Sequence, residues 1–204
     1  MVWIGRAGSL TQEEMINNAD IVIDTYRLKG FSDEVIASLL GNFQNESGIN
    51  PLREEVGGGG GFGLIQWTPK KVLINHMATV GLSPYTDGDN QTELVLLELS
   101  PSSGVNSWYS SAPFIRPYYP SGATTEMIGV TGNDYLSNTK GFSIEDLTTL
   151  YMVCRERPAY NPNINHIEKR KKDALSWYEY MGGKPPTPTP SKKKMKLLYY
   201  LRRF

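Results

Sequence analysis

Residues 31–67 read FSDEVIASLLGNFQNESGINPLREEVGGGGGFGLIQW, and the fold of the chain turns on how this stretch divides. Ile36, Leu39, Leu40 and Phe43 stand at i, i+3, i+4 and i+7, the spacing of a helical stripe that faces a core. Ser32 supplies an N-cap, and Asp33 and Glu34 suit the positive end of the helix dipole. Three residues further along, the stripe reaches Glu46. A carboxyl group on the core-facing side loses solvation and meets the negative end of the helix dipole, so both effects oppose ionisation and favour a proton donor. The same residue also reads as an ordinary glutamate that caps or pairs at a helix end.

Beyond that helix the composition changes. Seven glycines lie from Gly48 to Gly63, five of them consecutive at Gly57 to Gly61. Glycine permits backbone conformations and close approaches that side chains forbid, so the run reads as one wall of a cleft or as a flexible loop. A short hairpin or irregular sheet is expected over residues 52–67. Gln66 carries an amide suited to sugar hydroxyls or N-acetyl groups, and the Trp67 indole suits a sugar ring face. Glu54 and Glu55 are candidates for the second carboxylate, the nucleophile or water-activating base that glycoside hydrolysis commonly adds to a proton donor. Both also read as solvated charges.

Glu46-Ser47-Gly48-Ile49-Asn50-Pro51, followed by Gly61-Phe62-Gly63-Leu64-Ile65-Gln66-Trp67-Thr68, resembles the signature of phage tail lysozymes, muralytic domains of the lysozyme superfamily carried on virions. The resemblance is closest to the amino-terminal domain of tail-knob lysins of small podoviruses, and it runs from Met1-Val2-Trp3 through Glu156-Arg157-Pro158 to Trp177-Tyr178. The Glu-Ser and Gly-Leu-x-Gln pairings are similar to those of lytic transglycosylases, as is Ala159-Tyr160-Asn161. What the resemblance implies is an α+β, mostly α, lysozyme-like domain with its small β element beside the catalytic helix. It implies Glu46 as general acid/base, with Gln66, Trp67, Phe62 and Tyr160 as glycan contacts.

The activity implied is cleavage of the β-1,4 bond between N-acetylmuramic acid and N-acetylglucosamine by a virion-borne peptidoglycan hydrolase. Expected partners are peptidoglycan glycan strands and other phage tail proteins, and no cofactor is required. The competing expectations are a structural tail-tip protein that keeps a lysozyme fold for assembly or glycan binding, and a lytic transglycosylase.

Composition bounds the rest. At 204 residues and 39% hydrophobic content the chain can bury one main domain, expected over residues 1–183. Lys184-Pro185-Pro186-Thr187-Pro188-Thr189-Pro190 reads as a semi-rigid linker, and residues 191–204 as a basic docking peptide or the start of a second domain. Those last residues hold four Lys and two Arg without an acid. The first 190 therefore carry 15 basic and 21 acidic residues, a net charge of −6, and a nucleic-acid partner is not expected. Cys154 stands alone, which excludes an intrachain disulfide. His76 and His166 have no Cys or carboxylate at metal-site spacing, so no metal is expected. The amino terminus lacks the apolar core of a secretory signal and no run reaches membrane-spanning length, so stable membrane insertion is not expected, and the virion is the expected carrier to the wall.

The remaining chain reads as scaffold. Thr11-x-x-Glu14 is a capping box, Thr68-Pro69 opens a helix with proline at its first position, and Asn90-x-x-Glu93 and Ser143-x-x-Asp146 begin two more. A last helix is expected from Asn165-x-x-Glu168 to Met181, with Ala174, Leu175, Trp177 and Tyr178 inward. Glu98 sits inside an apolar run and needs Arg155 or Arg157 as a partner. Glu156 is expected in a scaffold ion pair. The span 100–125, with four prolines and seven serines, reads as a substrate-facing loop or an assembly surface.

Overall fold

A computed structural model describes residues 1–119, 122–158, 160–161 and 165–183. The linker and basic peptide expected over 184–204 lie outside the described residues. The architecture is mostly helical and is organised around α2 (Asp33–Ser47). Ile36, Leu39, Leu40 and Phe43 are all fully buried, as their spacing requires, and Ser32 caps the helix by accepting from the Val35 N–H. α1 (Gln12–Leu28) precedes it behind the Thr11–Glu14 capping box, and α7 (Ile144–Tyr151) and α8 (Ile167–Tyr180) pack on its other sides. α2 and α8 cross at Gly41, where a methyl group would stand 2.7 Å from the Arg170 carbonyl oxygen and from the Ala174 β-carbon. The absent side chain brings the backbones together and sets Arg170 beside the last turn of α2.

α3 (Lys70–Val80) and α4 (Gly88–Leu99) pack as a second pair, joined to α1 by the Tyr26 hydroxyl donating to the Thr92 carbonyl at 3.0 Å. Three helix starts differ from expectation, the first being α8, whose N-cap is His166 rather than Asn165. Pro69 is the N-cap of α3 rather than its first helical residue, and α4 begins at Gly88 because the Asp87 carboxylate accepts from the Asn90 N–H at 3.0 Å. Asparagine is thus the residue being capped.

The expected β-hairpin is absent among the described residues. In its place stand two isolated antiparallel bridges, Glu54 to Phe62 and Phe62 to Trp67. Gly57, Gly58, Gly60 and Gly63 all have positive φ, so the glycines turn the chain repeatedly instead of extending it. The excursion after α4 carries α5 (Ala112–Ile115) and a 3-10 turn (Arg116–Tyr118), and α6 (Gly132–Ser137) follows it. α7 widens into a π-helical turn (Met152–Glu156) closed by Arg157 in the left-handed region at φ 54°. Such widened turns recur at functional sites. No helix among the described residues is long and apolar enough to cross a membrane.

Candidate functional site

Glu46 lies in the last turn of α2, and the group against it is the Arg170 guanidinium, whose Nη2 donates to Glu46 Oε1. The Nη1 of the same arginine reaches Glu156 Oε2 at 3.0 Å and Oε1 at 3.2 Å, and Asn42 Oδ1 at 2.9 Å. Its Nε donates to the Asn165 carbonyl at 3.2 Å. Asn42 is in turn fixed by donating to the Ser38 and Thr148 carbonyls. One cation is therefore held by four anchors between two carboxyl groups, one at the end of α2 and one at the end of the π-helical turn.

The carboxyl groups differ in setting. Glu156 is 12% exposed and Glu46 is 19% exposed, so Glu46 is the more open of the pair. Burial pushes the Glu156 carboxyl up to about 8, against the opposing pull of Arg170 and with a further push from the Glu46 carboxylate and the hydrogen bond the two share. Two carboxyl groups on one arginine favour keeping a proton between them, and burial strengthens the hold of Glu156 on it.

Sequence reasoning placed Glu46 on the core-facing stripe but missed the arginine that meets it, and it read Glu156 as scaffold. A signal for Arg170 was present: it stands at i−4 and i−7 from Ala174 and Trp177, both fully buried on the inward stripe of α8.

The Gly-Leu-x-Gln turn is tied to the same helix end. Ser47 Oγ donates to the Leu64 carbonyl at 2.9 Å, and Gln91 Oε1 accepts from the Leu64 N–H at 2.9 Å. At Gly63, φ 81°, a β-carbon would stand 2.6 Å from Gln91 Oε1, so the position requires glycine. Gln66 turns its amide back onto the turn, donating to the Gly63 carbonyl at 3.0 Å and the Arg53 carbonyl at 3.2 Å.

Trp67 and Phe62, read as glycan contacts, are core residues instead. The Trp67 indole N–H donates to the buried Glu98 carboxylate at 2.9 Å, and Phe62 packs edge-on against Tyr85 with the Lys70 ammonium 4.2 Å from its centroid. The bridge between Phe62 and Trp67 folds both rings inward. Glu98 also accepts from Arg155 Nε at 2.9 Å and lies 2.6 Å from His76 Nδ1, so the expected partner is Arg155. Arg155 and its neighbours hold the Glu98 carboxyl below the usual carboxylate range despite its burial.

The contacts of Glu54 and Glu55 run away from Glu46. Glu54 is exposed and 3.5 Å from Lys70 Nζ, while the Glu55 carboxylate accepts from the Gly61 N–H at 2.9 Å and closes the glycine loop on itself. Tyr160 is exposed and meets Tyr118 edge-to-face at 4.9 Å, and the Tyr118 hydroxyl accepts from Asn165 Nδ2 at 2.5 Å. Among the described residues no group of His, Cys, Asp and Glu is arranged to hold a metal ion. Cys154 is buried, and burial pushes its thiol up to about 12, the behaviour of a small core residue.

A relative, Morphogenesis protein 1 of Bacillus phage B103, is 28% identical over 182 residues, which are 87% of this chain and 43% of that protein. The chain thus spans less than half the length of that relative. The family profile described as phage tail lysozyme matches residues 17–181. With most of its length inside that match, the chain belongs to the phage tail lysozyme family.

Proposed function

We propose that the domain cleaves the β-1,4 bond between N-acetylmuramic acid and N-acetylglucosamine in peptidoglycan, opening the host wall from a phage tail so that DNA can pass. The observation that carries this reading is the acid pair at the end of α2, where Arg170 holds both Glu156 and the more open Glu46 and burial favours a proton on Glu156. Glu46 is the group that meets substrate. The one proton of the pair crosses from Glu156 to Glu46 through their shared hydrogen bond and passes from Glu46 to the glycosidic oxygen as the bond to the anomeric carbon breaks. The pair then recovers a proton from the oxygen that attacks the anomeric carbon, either of a water or of the sugar's own 6-hydroxyl. The first gives a reducing end and the second a 1,6-anhydro end.

Glu46→Gln is the direct test. The variant is expected to keep the circular dichroism of the parent and to lose wall clearing on purified peptidoglycan, by at least a hundredfold. Full activity in that variant removes Glu46 from the mechanism. Mass spectrometry of the released muropeptides separates hydrolysis from transglycosylation. A second reading, a structural tail protein that binds glycan without cleaving it, is favoured by the name of the phage relative, a morphogenesis protein, and an inactive parent chain in the same assay would select it.

A further inference from the structure

The excursion between α4 and α6 is where the sequence leaves substrate loop and assembly surface equally open, and its contacts distinguish the two. Tyr109 donates its backbone N–H to the Cys154 carbonyl at 2.8 Å, which lays this segment along the π-helical turn two residues before Glu156. α5 packs on the same turn. Further on, the Tyr118 hydroxyl is held by Asn165, the residue whose carbonyl accepts from Arg170. Two of the excursion's anchors, at Tyr109 and Tyr118, therefore lead to the neighbours of the acid pair.

What gathers there, from the excursion and from Tyr160 beyond the π-helical turn, is aromatic, with Tyr109, Phe114 and Tyr160 exposed and Tyr118 partly buried. Tyr109 and Phe114 meet edge-to-face at 5.9 Å and are 52% and 41% exposed, and Tyr160, 53% exposed, stands edge-to-face on Tyr118. These are large apolar faces left in water, and all but one carry a hydroxyl at the rim. A pyranose ring has the complementary surface, with C–H groups on its faces and hydroxyls around its edge.

We propose that Tyr109, Phe114, Tyr118 and Tyr160 form the glycan-binding wall of this domain, taking the faces of successive N-acetylated sugar rings on one side of the scissile bond. The run of the strand toward Glu46 rests on the acid-pair reading above; the binding itself does not.

The test uses the full chain carrying Glu46→Gln, co-sedimented with purified peptidoglycan sacculi. Adding Tyr109→Ala and Phe114→Ala together is expected to weaken sedimentation roughly tenfold, and Phe114→Tyr to leave it within about twofold. Sedimentation unchanged by the double substitution in a folded variant overturns the wall, and loss of incorporation into virions instead would give the face to another tail protein. Should the double variant misfold, Tyr160→Ser at an exposed ring reads the same question, with several-fold weaker sedimentation expected and unchanged sedimentation overturning the wall. A Glu46→Gln chain that still clears walls overturns the acid assignment and leaves this result standing.

Discussion

Two buried ion clusters meet on the π-helical turn, and they keep their protons differently. Arg155 belongs to one, with Glu98, His76 and Trp67; its neighbour Glu156 belongs to the other, with Arg170 and Glu46. Glu98 is fully buried, deeper than Glu156, yet its carboxyl is held low while that of Glu156 is pushed up to about 8. Burial pushes both carboxyls up, and the groups that answer it separate the two: an arginine, an indole and an imidazole hydrogen-bond Glu98, whereas Glu46 and Glu156 share one arginine. The first cluster balances its charge internally, and the second balances only by retaining a proton, the state a general acid needs.

Removing the centre of the balanced cluster should have the largest effect. Glu98→Ala leaves Arg155 buried without its counter-charge and strips a partner from the Trp67 and His76 nitrogens. The expected loss is about 3–5 kcal/mol of folding stability, read from urea midpoints at pH 7. A loss below about 1 kcal/mol would mean that water already serves these donors and that the clusters do not differ as described.

The pH dependence sharpens the comparison, since the clusters pull in opposite directions. Glu156 has a folded pKa raised from 4.5 to about 8, so between those values the native protein holds a proton that the unfolded chain has lost. The stability it contributes is fully present below about 4.5 and is lost as pH rises through 8, with a slope of up to about 1.4 kcal/mol per pH unit. Glu98, held low, contributes stability that is present above its ordinary value of 4.5 and is lost as pH falls through its folded value. Glu156→Gln should flatten the neutral-to-alkaline arm, matching the parent near pH 5 and exceeding it near pH 8, and leave the acid arm in place. Urea titrations from pH 3 to 9 check both arms, and an unchanged alkaline arm in the variant would take the retained proton away from Glu156.

How legible this was differs by cluster. The stripe Ile36–Phe43 and the caps at Thr11, Ser32 and Ser143 are local patterns, and the fold keeps them because period and capping chemistry act within one turn. Glu98 announced itself as a carboxylate inside an apolar run, and Arg155 or Arg157 was expected as its partner on charge alone, of which the structure takes Arg155. Arg170 and Glu156 were harder because their meaning lies in a three-way contact between α2, the π-helical turn and α8, and neither segment looks unusual by itself. The basic stretch Lys169 to Lys172 disguised Arg170, which turns inward. Trp67 and Phe62 were misplaced for the opposite reason: an aromatic beside glycines suits a cleft and a core equally, and only the bridge that folds the loop decides.

The smallest effect tests whether the clusters are independent. Ser47 Oγ, donating to the Leu64 carbonyl, ties the turn that ends in Trp67 to the helix end that carries Glu46, and so spans from one cluster to the other. Ser47→Ala removes that tie, takes the acceptor from the buried Asn50 N–H and leaves every ion pair intact, at an expected cost of about 1–3 kcal/mol. If charge balance is local, the loss should be uniform from pH 5 to 8, and both arms of the titration should keep their midpoints. A shifted alkaline arm would show that the position of the turn sets the proton on Glu156, and that the glycine wall and the acid pair work as one unit. Urea midpoints of parent and variant at matched pH distinguish a parallel displacement from a change of shape.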